Sequence, residues 1–192
     1  MPYSGIIVAF SAFLFVLFSS GEARAHPGHP HPPEEVDEFD IEAFFSSAAH
    51  PFTGFDHLLT MLVAGALASG RRGLGMAFVG AVGAGFLSGL ASPPWLLALS
   101  LVLIGGFLWK GLLKNAWIWG AVVMTGFVHG GAHSADMTGL AEGFGLCAGT
   151  MAGVCLSAAV MSLRTLPPVA FRFAGASVAI SGVLLTVARL TL

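Results

Sequence analysis

The chain has 192 residues, of which 56% are apolar and 9% charged, with a net charge of −2. An ordinary soluble domain carries about 25% charged residues, so the polar side chains here are too few to cover a globule in water. That balance disfavours a lone soluble domain, a disordered chain and a nucleic-acid binder, and it makes lipid the expected solvent. A spanning helix needs about 20 residues, so the chain is long enough for six or seven.

Ile6–Phe18 is an apolar run too short to span comfortably but suited to a signal-peptide core, and Ala23-Arg24-Ala25 supplies a small-x-small cleavage site. No Lys or Arg precedes the run, which departs from the usual pattern and leaves an uncleaved anchor as the alternative. Residues 1–25 are thus expected to be a signal peptide, with His26 as the mature N-terminus outside the cytoplasm. Residues 26–49 form a polar lead segment. Four prolines in its first eight residues prevent a regular helix there. It carries His26, His29 and His31, followed by six acids between Glu34 and Glu42. This composition fits an auxiliary metal-capture tail, and equally a solvated linker.

Six apolar segments follow, at about 52–70, 73–91, 95–110, 115–135, 143–163 and 171–190. The expected architecture is an all-α integral membrane protein whose transmembrane domain, residues 50–192, holds six helices. Glycine rows such as Gly85/Gly89 and Gly145/Gly149/Gly153 let helix backbones approach closely in lipid. Cys147 and Cys155 both lie in an apolar segment, so no disulfide framework is expected. With the mature N-terminus outside, the inner turns carry Arg71, Arg72, Lys110, Lys114, Arg164 and Arg172, leaving only Arg189 on the far side. Every acid of the mature chain then falls outside. This satisfies the positive-inside rule and predicts a multi-pass protein of a bacterial inner membrane with a periplasmic N-terminus.

Ionisable groups within spans are costly and usually functional. One cluster, His50-Pro51-Phe52-Thr53-Gly54-Phe55-Asp56-His57, enters the first span; another, His129, His133 and Asp136, ends the fourth. The spacing i, i+4, i+7 predicts one helix face for the second cluster. His57 to Gly70 and Asn115 to His129 each measure about 21 Å of helix from the cytoplasmic end, so the clusters share a depth. A helix starting at His57 is too short to cross a core about 30 Å thick, and Pro51 and Gly54 favour irregular backbone there. Such backbone is tolerated only around a cavity or buried in protein. Imidazoles with carboxylates suit Ni²⁺, Co²⁺ or Zn²⁺, and Asp56 is also placed to orient His57 or His50 from behind. The plain alternative is that these groups only tie helices together. Cys147, Met151 and Cys155 repeat every four residues as soft donors or as ordinary packing, and Met61 is open in the same way.

The string HPFTGFDHLLTMLVAG, His50 to Gly65, resembles the first signature of the HupE/UreJ family, His-Pro-x-x-Gly-x-Asp-His followed by a Met and a Gly. The stretch from Phe127 to Asp136 is similar to that family's His-Gly-x-Ala-His-Gly-x-Glu signature, with Ser134 in place of Gly and Asp136 in place of Glu. The resemblance implies a secondary permease for nickel or cobalt that accompanies hydrogenase or urease maturation systems. It also implies His50, Asp56, His57, His129, His133 and Asp136 as metal-pathway residues. The nickel preference comes from the resemblance alone. On this reading the chain is not an enzyme, carries no prosthetic group, and takes Ni²⁺ or Co²⁺ as cargo, with membrane lipid and the ion as partners. A homo-oligomer is compatible with it. No GxxxxGK[ST] loop is present to bind ATP. Two rivals stay open: a metal-dependent intramembrane hydrolase with Glu142 as base, and a haem b electron carrier using His57 with His129 or His133.

Overall fold

The computed structural model describes residues 39–112, 116–137, 139–163 and 167–191, and the regular structure among them is all helical, without strands. The signal-peptide run and His26, His29 and His31 lie outside the described residues. In chain order the helices are α1 (Ile41–Ala49), a 3-10 turn (His50–Phe52), α2 (Phe55–Gly70), α3 (Arg72–Leu87), α4 (Pro94–Lys110), α5 (Trp117–His133), α6 (Leu140–Leu163) and α7 (Pro168–Thr191). Each of the six apolar segments forms one helix, α2 to α7.

The ends follow local chemistry. Pro94 opens α4 at its first turn, where a missing N–H costs nothing. Gly111 closes it at φ 67°, with Leu112 N–H donating to Phe107 O and Gly111 N–H to Leu108 O, a Schellman closure. Helix α1 is absent from the hydropathy reading, which assigns no element to 41–49. It forms because Asp40 Oδ1 accepts the N–H groups of Glu42 and Ala43 and because its small residues fit a groove. On α6, Gly145 and Gly149 lie against the backbone carbonyls of Phe44 and Ala48, where any Cβ would collide. The last nine residues of the lead segment therefore belong to the packed body.

Two further glycine crossings set the interior. Gly126 and Gly130 of α5 press on the backbone of α3 at Phe78 and Val82, and Gly85 of α3 returns the contact at Phe127. Gly105 of α4 meets α7 at Gly175 and Ala179. The core between them holds Leu67, Leu74, Phe78, Leu101, Ile104, Ile118 and Leu146.

Apolar side chains cover the outside of the bundle as well as its core. Leu156, Val160, Val183, Leu184 and Val187 are exposed, whereas Thr150, Ser157 and Ser181 are buried. The four tryptophans, Trp95, Trp109, Trp117 and Trp119, all lie near helix ends and are all exposed, the arrangement of an interfacial aromatic belt. One end of the bundle is cationic: Gly73, two residues after Arg71, faces the Trp119 ring, and the Arg172 guanidinium lies beside Gly111. By length and composition, Leu140–Ser162 and Val169–Thr191 are long enough to cross a membrane. Ile41–Phe52 with Phe55–Gly70 makes a third candidate, bent by 77°. The remaining helices have 16 or 17 residues, about 24–26 Å. The apolar helices are compatible with a multi-pass membrane protein.

Candidate functional site

The bend between α1 and α2 builds the first half of the site. Pro51 sits in the 3-10 turn, and Gly54 starts α2 in extended conformation, so the chain changes direction between His50 and Asp56. Asp56 then falls in the first turn of α2, where the helix dipole favours a carboxylate. Its Oδ1 accepts the backbone N–H of His57 and the ring Nδ1–H of His57, both at 2.9 Å. That pairing fixes the tautomer: Nδ1 carries the proton, and Nε2 presents its lone pair to the interior.

Helix α5 supplies the second half. Gly126 and Gly130 form one stripe, His129 and His133 the neighbouring one. With the glycines pressed on α3, the histidine stripe turns toward α2. His57 Nε2 and His133 Nε2 approach to 2.7 Å. The His50 ring stands 4.7 Å from that of His133 and 5.5 Å from that of His57, centroid to centroid. One nitrogen from each of His50, His57 and His133 lies within 4.8 Å of the others. Among the described residues this is the three-donor group that could hold a metal ion.

His129 sits one turn deeper. Its ring is 5.4 Å from that of His57, its Nδ1 faces Thr125 O at 2.9 Å, and its Nε2 faces Thr60 Oγ1 at 2.9 Å. A cavity little larger than a water molecule joins the two levels and is lined by His57, His133, His129, Thr60, Met61 and Thr150 among others. Thr60 is a site residue that the sequence reading passed over. The available signal was a lone hydroxyl in an apolar run, one turn after Asp56. Met61 is held there because its thioether fills the notch at Gly153.

Asp136 is placed differently from its expected helix face. Helix α5 stops at His133, Ser134 turns its hydroxyl back to Gly131 O, and Met137 is drawn into the core. Asp136 is left exposed on the turn, outside the three-donor group. Cys155 is also exposed and Cys147 packs near Gly83, so neither thiol joins the histidines. Glu142 Oε2 accepts the Gly139 N–H at the start of α6. The Nε2 atoms of His57 and His133 face each other directly, with no gap between them.

Gly54 has a steric role here. A Cβ at this position would lie 2.8 Å from His57 Nδ1 and 3.0 Å from Asp56 Oδ1. Gly54→Ala is expected to part that pair and weaken metal affinity about tenfold, the usual order for losing a partner that orients a ligand. Equilibrium dialysis with Ni²⁺ measures it, and wild-type affinity in the variant would show that the pair does not orient the site.

The profile of the HupE / UreJ protein family matches residues 14–185. No curated protein and no solved structure matches the chain.

Proposed function

The chain belongs to the HupE/UreJ family, and from that premise we propose that it is a membrane permease carrying a divalent transition-metal ion inward, with Ni²⁺ as the main cargo and Co²⁺ as the second. The observation that carries this reading is the convergence of His50, His57 and His133, from three separate elements, on one point inside an apolar bundle. Neutral imidazoles suit Ni²⁺ and Co²⁺ better than hard ions. Asp56 adds a negative charge that offsets part of the cost of bringing a divalent ion into lipid.

In this reading α2 to α7 are six spans. The shorter ones are accommodated by local thinning of the bilayer and by their interfacial tryptophans. The cationic end faces the cytoplasm of a bacterial inner membrane, which puts the histidine site toward the periplasm, near a lead segment whose His26, His29 and His31 would collect ions. Residues 1–25 are removed as a signal peptide. A divalent ion moving inward gains about 4.6 kcal/mol per 100 mV of membrane potential, enough to drive uptake without ATP. The cargo would serve the maturation of a nickel enzyme such as a hydrogenase or urease. The reading is of a transporter and not an enzyme.

The test is uptake of labelled nickel, cobalt, zinc and copper by cells expressing wild type, Asp56→Ala or His129→Ala at equal levels. Wild type should accumulate nickel, with cobalt as the strongest competitor, and both variants should fall to the level of cells lacking the protein. Normal nickel uptake by both variants would sink the proposal.

A further inference from the structure

Thr60 has one hydroxyl proton and two acceptors in reach. Its Oγ1 lies 2.7 Å from the backbone oxygen of Asp56 and 2.9 Å from His129 Nε2. On the other side of that ring, Nδ1 faces the carbonyl of Thr125. A carbonyl only accepts, so Nδ1 carries the proton of the neutral ring and Nε2 is its lone-pair nitrogen. Thr60 is 1% and His129 3% exposed, so bulk water does not substitute for either partner. The Thr60 hydroxyl, which also donates to the Asp56 carbonyl, is the group that stands against the lone pair of His129, and an ion reaching Nε2 has to pass it.

Displacement orphans nothing. Rotation about the Cβ–Oγ1 bond turns the proton to the Asp56 carbonyl, with no heavy atom moving. A buried donor left without a partner would be costly, and here the second acceptor is already in place. His129 also lies at the right depth to take an ion from the outer group. It is four residues, about 6 Å, inward of His133 on α5, as Thr60 is inward of Asp56 on α2. The same small cavity touches both levels.

We infer that His129 is a second, inner station on the ion's path and that Thr60 controls it, capping Nε2 while the station is empty and turning to the Asp56 carbonyl as the ion descends from His50, His57 and His133. This rests on the transport reading above. Thr60 acts as a positioning residue, setting how easily the inner imidazole becomes a ligand.

The experiment titrates purified full-length protein with Co²⁺, followed by its visible absorption, and measures Ni²⁺ uptake in proteoliposomes. Thr60→Val removes the hydroxyl and keeps the shape. Binding then no longer has to move a proton off Nε2, so Co²⁺ affinity should rise, by less than the about tenfold of one ordinary hydrogen bond, because in the wild type the bond regained at the Asp56 carbonyl offsets part of the one lost. KM and kcat for Ni²⁺ should fall together, because the ion leaves the inner station more slowly. Thr60→Ser should restore both, and in a His129→Ala background Thr60→Val should change nothing. Should Thr60→Val fail to insert, Thr60→Ala removes the same hydroxyl and carries the same expectation. Weaker Co²⁺ binding with a raised KM would assign Thr60 a merely bracing role and overturn the inference. Unchanged affinity, or an effect that survives His129→Ala, would overturn it too. Wild-type protein that binds neither ion would bring down the transport reading and this inference with it, whereas wild-type binding with an unaltered Thr60→Val variant removes only the inference.

Discussion

Purified protein carrying His133→Ala is expected to bind Ni²⁺ about a hundredfold more weakly than wild type, and its uptake to fall to background. Losing an orienting partner alone costs about 10–100-fold in metal sites, and a direct donor belongs at the upper end of that range. His133 is 9% exposed, so water is poorly placed to replace its nitrogen. The His57–His133 pair already approximates two adjacent positions of a coordination sphere. With metal–nitrogen bonds of about 2.0–2.1 Å, two neighbouring nitrogens stand about 2.9 Å apart in tetragonal geometry and about 3.4 Å apart in a tetrahedron. The observed 2.7 Å between His57 and His133 is a few tenths short of the first value, so the rings need only part slightly to admit an ion. His57→Ala should match His133→Ala. Asp56→Asn should be milder, about tenfold, because an amide oxygen still accepts the Nδ1–H of His57 but brings no charge. Equilibrium dialysis of folded, detergent-purified variants measures all three. A folded His133→Ala protein with wild-type affinity would remove the three-histidine group as the binding site.

The second large effect comes from a residue that touches no ion. Gly130 lies against the Val82 carbonyl of α3 at a separation no Cβ fits. Backbone atoms in two helices cannot step aside as a side-chain tip can, so Gly130→Ala has to push α5 away from α3. Overpacking of this kind costs about 1–3 kcal/mol. The larger consequence is for the site, because His129 and His133 ride on the displaced helix. Gly130→Ala is expected to lower the melting temperature in detergent and to abolish Ni²⁺ binding. Gly120, on the same helix, is the control: nothing lies within 4 Å of its would-be Cβ. Gly120→Ala should leave binding intact and stability equal or higher, since alanine is the better helix former. Equal behaviour of the two variants would show that the α3–α5 crossing does not position the site.

These two expectations describe one design. Close backbone contact at Gly126 and Gly130 fixes the rotation of α5, and that rotation aims the adjacent histidine stripe. On the opposite wall, α1 seated on Gly145 and Gly149 fixes the approach of His50, while Gly153 houses Met61. Small residues here do more than hold a bundle together in lipid. They set ring positions at the scale of a metal–ligand bond.

Much of this was legible in the residue string. Charge scarcity and six apolar runs gave the helices, because a helix satisfies its own backbone and each run is long enough to form one. The spacing of His129 and His133, with a depth count matching His57, indicated that the two clusters should meet, because helical rise is constant. Three features escaped that reasoning. Helix α1 is too short and mixed in composition for a hydropathy window, and it exists through its cap at Asp40 and its seat on α6. Asp136 continues the helical period on paper, yet α5 ends at His133, the Ser134 hydroxyl bonds back to Gly131 O, and it is Met137 that is buried. Thr60 reads as one more residue of an apolar span, and only the crossing of α2 with α5 sets its hydroxyl against His129. The sequence by itself determined which chemistry is present and at what depth, since residue type and rise per residue are local properties. Tertiary structure alone decided which nitrogens share a point and which hydroxyl stands in front of the fourth imidazole. Those facts depend on helix rotation, and rotation is set by glycine contacts between segments far apart in the chain.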